Sequence, residues 1–67
     1  MNKELKSLII LRFGSQADFA EKVRVDESFV SRVVRGRASP SPEMMERWAD
    51  ALGKSIEDLL ADDEQLR

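Results

Sequence analysis

Ser28, Ser31, Arg32 and Arg35 fall at i, i+3, i+4 and i+7, the spacing of one face of an α-helix. Small hydroxyls do not obstruct close approach, and guanidiniums reach past them with forked donors. A solvated face would use lysine and glutamate equally well. A face that enters a DNA groove needs short residues beside long cationic donors, and an arginine there can fork onto guanine O6 and N7. Glu27 opens the same helix. Its carboxylate suits either a hydrogen bond from cytosine N4 or completion of the helix cap. Arg35-Gly36-Arg37 then sets two cations around a glycine at the helix end. They are placed to clamp phosphates or to complement the helix dipole, and both can hold at once.

These residues need a scaffold. Phe29, Val30, Val33 and Val34 give the same helix, residues 27–35, an apolar face opposite the polar one. Asp26 is a good N-cap, since a short carboxylate can accept first-turn N–H groups. Gly36 is the natural stop, because glycine takes the left-handed conformation without a Cβ clash. Ahead of it, Ser15 caps a second short helix beginning at Gln16, with Asp18 as a shortened capping box. Phe19, Ala20 and Val23 form its buried side. Ala20 is small where two helices must cross steeply, and Val25 plugs the turn between them. The whole stretch predicts two helices joined by a tight turn.

The remaining segments supply the core. Residues 1–13 read as a first helix, with Leu5, Leu8, Ile9 and Arg12 on one side and Leu11 and Phe13 widening the apolar arc. Lys3, Lys6 and Ser7 are expected to be exposed, and Gly14 to cap the end. Ser39-Pro40-Ser41-Pro42 cannot continue a helix, but Ser41 with Pro42 at the first helical position starts one cleanly. Met45, Trp48, Ala49 and Leu52 share a face of that helix, residues 42–52, which Gly53 ends. Ser55 caps a fifth helix with Asp58, and Ile56, Leu59 and Leu60 close the core.

Sixty-seven residues suit one domain with one small core. Cysteine and histidine are both absent, which removes disulfides, thiolate or imidazole metal sites and histidine-based acid–base chemistry. No serine–lysine or paired-carboxylate constellation replaces them, so an enzyme is not expected. Three adjacent carboxylates, Asp62-Asp63-Glu64, sit in an acidic tail (about 61–67) and do not converge on a metal. No cofactor or small-molecule ligand is expected. There is no membrane-length apolar run and no signal-peptide pattern, so the expected location is the cytoplasm. The net charge of −2 alone argues against nucleic acid, but residues 1–37 carry +3 and residues 38–67 carry −5. A basic motif face and an acidic opposite end are expected.

From about Leu5 to Leu60 the chain resembles the Cro/repressor (XRE-like, lambda-repressor-like) type of helix-turn-helix. Gln16 and Ala20 sit where that family keeps glutamine and alanine, Val25 matches the turn hydrophobe, and Ser28, Val30, Ser31 and Arg32 match the recognition helix. Gly36 matches the closing glycine, and Ala49 to Gly53 and Ser55 to Leu60 resemble the last two helices. Two positions depart. Arg24 stands where the family usually has the turn glycine, and a positive φ there costs about 1 kcal/mol. Val34 stands where an acid is common, with Ile9 at the matching basic position, so an apolar contact can replace an ion pair.

The resemblance implies an all-α, compact five-helix domain over residues 1–67, with the helix-turn-helix at about 16–35. It implies a transcriptional regulator of prokaryote or phage type, expected to repress by occlusion, with the third helix in the major groove. Ser28 and Arg32 would read bases, as would Glu27 and Ser31. Gln16, Arg35, Arg37, Ser15 and Arg24 would hold phosphates; the alternative is solvent for Ser28 and Arg32, phosphate or solvent for Ser31, and an ordinary polar first-turn role for Gln16. The partner would be double-stranded DNA carrying an inverted-repeat operator. It would be bound by a homodimer formed mainly on DNA, with residues near Glu57 and Asp58 at its interface. The alternative is a protein-interaction module of the same fold, antitoxin-like or anti-repressor, without DNA. A further alternative makes this the N-terminal part of a longer regulator, although the tail reads as a natural end.

Overall fold

Asn2 starts the first helix. Its side chain accepts the Leu5 N–H at 2.9 Å, so α1 runs Lys3–Phe13 and ends at Gly14. The computed structural model describes residues 2–55, and within them three more helices follow: α2, Gln16–Val23; α3, Glu27–Val34; and α4, Pro42–Leu52. The fold of the described residues is all-helical. The expected fifth helix, with Ile56, Leu59 and Leu60, the acidic tail and the interface residues Glu57 and Asp58 all lie outside them.

Three caps read from the sequence are present. The Ser15 hydroxyl accepts the Asp18 N–H at 3.1 Å, and that of Ser41 accepts the Met44 N–H at 3.3 Å, with Pro42 leading α4. Gly53 closes α4 with a left-handed backbone. Asp26 is different. It stands at the N-cap of α3, but its side chain makes no cap hydrogen bond. The residue is exposed.

The core gathers one face from each helix: Leu5 and Ile9 from α1, Phe19, Ala20 and Val23 from α2, Val30, Val33 and Val34 from α3, Trp48 and Leu52 from α4. Ile9 and Val34 are both buried here, so apolar packing stands where an ion pair would otherwise need desolvating. Aromatic rings tie the layers together. Phe13 meets Phe19 at 5.2 Å and 59°, and Phe19 meets Trp48 at 5.2 Å and 80°. Tilted and edge-on contacts suit the ring quadrupole. The indole N–H of Trp48 is buried and has no acceptor among the described residues.

Leu11 corrects an expectation. Rather than widening the apolar arc it is 81% exposed, and Ile10 is 44% exposed. A helix can turn only about a third of its circumference into a core shared with three neighbours, and α1 turns the Leu5–Ile9 side. Met45 is only half-buried on α4, which leaves Trp48 and Leu52 as its buried anchors. No helix among the described residues is long and apolar enough to cross a membrane.

Candidate nucleic-acid interface

The apolar face of α3 fixes its orientation. Because Val30, Val33 and Val34 are buried, Glu27, Ser28 and Arg32 are turned outward and exposed, with Ser31 half-buried at the margin. The helix ends in a paired bond motif: the Gly36 N–H donates to the Val33 carbonyl at 3.0 Å and the Arg37 N–H to the Arg32 carbonyl at 2.8 Å. This needs a left-handed residue at Gly36, where φ is 79°. The reversal leaves Arg35 and Arg37 exposed on either side of the helix end.

Before α3, the chain turns at Arg24, with φ 62° and ψ 46°. Among the described residues it is the one non-glycine with positive φ. Its N–H donates to Glu21 at 3.3 Å and that of Val25 to Ala20 at 3.0 Å. Val25 turns inward against the core while the Arg24 side chain stays in solvent. The left-handed backbone at Arg24 favours glycine, and its exposed side chain adds nothing to the core.

At the start of α2, Ser15 and Gln16 are half-buried. The Ser15 oxygen is engaged as the cap acceptor, which leaves its hydroxyl hydrogen as the donor for an anion. Among the described residues the ion pairs are Arg47–Glu43 at 3.6 Å and Lys54–Glu4 at 3.0 Å. Arg24, Arg32, Arg35 and Arg37 form no ion pair among the described residues. No cluster of ligating side chains among the described residues is arranged for a metal.

Two tethers that sequence reasoning missed hold the motif in place. The Arg47 guanidinium donates to the Val23 carbonyl at 3.2 Å, so α4 grips the last turn of α2. The backbone N–H of Asn2 donates to the Val34 carbonyl at 2.8 Å, so the chain start grips the last turn of α3. Each fills a carbonyl that its own helix leaves without a donor. The signal for the Asn2 side-chain cap was present, since asparagine before a helical run is a standard N-cap. The backbone tether left no sequence signal, because any residue but proline has an N–H. Phe29 is half-buried, at the margin of the apolar face on which its helix was expected to place it, and its ring meets Trp48 of α4 at 6.2 Å and 77°.

Comparison with known proteins agrees with this geometry. A family model described as helix-turn-helix matches residues 5–59, which spans all of α2, the turn and α3. No curated protein and no solved structure matches the chain. With two short helices joined by a tight turn, a polar arginine-bearing face on the second and that match over most of its length, the chain belongs to the helix-turn-helix family, as a Cro/XRE-like DNA-binding domain.

Proposed function

We propose that this chain forms a single domain that represses transcription by occupying a specific double-stranded DNA site with α3 in the major groove. The observation that carries the reading is the outer face of α3, where Ser28 and Arg32 stand exposed, with Arg24 before them and Arg35 and Arg37 after them forming no ion pair among the described residues. Short hydroxyls let the helix approach base edges, and Arg32 supplies the paired donors that guanine accepts. Glu27 and Ser31 border the same face. Ser15, Gln16, Arg24, Arg35 and Arg37 surround it and hold phosphates, which sets orientation without reading sequence. A domain this small makes too few contacts to find one site in a genome, so two copies bind an inverted repeat with half-sites about one helical turn apart. A fifth helix following Ser55 is the proposed interface, and the cytoplasm is the proposed location.

The test is selection from a pool of random duplexes, followed by sequencing of the bound fraction. Enrichment of an inverted repeat is expected, with a spacing that reports the dimer. A single enriched site would remove the dimer and keep the DNA reading. No enrichment, even at low salt where phosphate contacts are strongest, overturns it.

A further inference from the structure

Arg32 is not loose in solvent. Its guanidinium carbon lies over the Phe29 ring, 5.7 Å from the centroid. The two residues are three apart on α3 and share one side of the helix. Phe29 is half-buried and its ring is set edge-on against Trp48 at 6.2 Å and 77°. Trp48 in turn is buried and braced from the other side by Phe19 at 5.2 Å and 80°. A row of rings thus runs from the centre of the core to the outer face of the recognition helix and ends at a cation.

The choice of partner matters. Arg32 shares an open cleft with Arg24, Val25, Asp26, Phe29 and Met44, so a carboxylate borders the same space. No ion pair forms between Arg32 and Asp26. A carboxylate would occupy the guanidinium fork, whereas a ring attracts the cation through its π face and takes up no acceptor-seeking N–H group. Arginine also loses much rotamer freedom when fixed, and a side chain held in advance loses less on binding.

We propose that Phe29 is a positioning residue for Arg32: its ring holds the guanidinium where it reads one base pair, so an aromatic contact anchored in the core sets specificity at that position. This rests on the DNA reading above. Phe29 itself touches no base. The ring restricts where the fork can sit, and a restricted fork discriminates guanine from other bases more sharply than a mobile one. A long cation in free rotation would divide its time between base edges and phosphates and discriminate less.

The experiment repeats the random-duplex selection with wild type, Arg32→Ala, Phe29→Leu and Phe29→Tyr, together with thermal unfolding of each. Arg32→Ala locates the base pair by abolishing preference there. Phe29→Leu is expected to weaken the preference at that same base pair by roughly two- to five-fold, leave the other positions unchanged, and retain binding to non-specific duplex. Phe29→Tyr keeps the π face and restores the preference. If Phe29→Leu fails to fold, Phe29→Met takes its place, since it fills the site without a π face. A loss of preference spread evenly over all positions, or none at the Arg32 position, overturns the proposal. If Arg32→Ala weakens all sequences alike, Arg32 is a phosphate contact and the proposal fails while the DNA reading stands. If wild type enriches nothing, the DNA reading itself has failed.

Discussion

Asn2 and Val34 are joined by a backbone hydrogen bond of 2.8 Å, from the N–H of the first to the carbonyl of the second. Asn2 precedes α1 and Val34 ends α3. The same asparagine is fully buried and caps α1 through Oδ1 at 2.9 Å. One residue therefore starts the first helix and finishes the third. Replacing Asn2 by alanine removes the cap and leaves the Leu5 N–H buried without that acceptor. A loss of about 1–2 kcal/mol in urea unfolding is expected. Asn2→Ser, which keeps an acceptor, should lose less.

Arg24 offers a separation of stability from binding. Its left-handed backbone favours glycine. Arg24→Gly is expected to raise stability by up to about 1 kcal/mol, the gain being reduced by the extra freedom of glycine in the unfolded chain. Affinity for the selected duplex should fall at the same time. If binding is unchanged, the arginine is not a phosphate contact. Chemical unfolding and a binding titration on the same variant decide this.

Trp48 carries both the core and an orphan donor. Trp48→Ala should cost about 3–5 kcal/mol, enough to unfold a domain of this size. Trp48→Phe loses ring area but also removes the unpartnered indole N–H. The penalty should therefore be well under that of alanine. Urea unfolding monitored by circular dichroism measures both variants, since the fluorescence of the single tryptophan is lost with the mutation.

On the proposed DNA reading, Arg35 and Arg37 hold phosphates while Arg32 reads a base. Arg35→Ala and Arg37→Ala should weaken specific and non-specific duplexes equally. Each should lower the slope of log affinity against log salt by about 0.9, the signature of one released phosphate contact. Arg32→Ala should change which sequences bind. A change in sequence preference from Arg35→Ala would place that side chain on a base instead.

Val34 tests the exchange of an ion pair for packing. Val34→Glu buries a carboxylate in a core shared with Ile9, and no cation is buried there among the described residues. A loss of roughly 3–5 kcal/mol is expected, because an uncompensated buried charge costs far more than the lost methyl groups. Urea unfolding is the measurement. A loss under 1 kcal/mol would mean that the side chain escapes to solvent.

Much of this was legible in the residues. Local signals act within one helical turn, so the sequence alone determined the starts of α2 and α4 through Ser15 and Ser41 and the stop of α4 at Gly53. Periodicity assigned Val30, Val33 and Val34 inward and Ser28 and Arg32 outward, and the family resemblance followed from that order. Tertiary structure decided what depends on partners far along the chain. Leu11 looked like core and is exposed, because hydrophobicity does not state which face a neighbour will cover. Asp26 looked like a cap and makes no cap bond while the equally exposed Ser41 does, because residue type does not fix the side-chain rotamer. The grip of Arg47 on Val23, that of Asn2 on Val34, and the row of rings that ends at Arg32 each join elements distant in sequence. A backbone N–H or a ring face carries no mark of its future partner. Only packing, by bringing those groups within a few ångströms of one another, selects which contacts form.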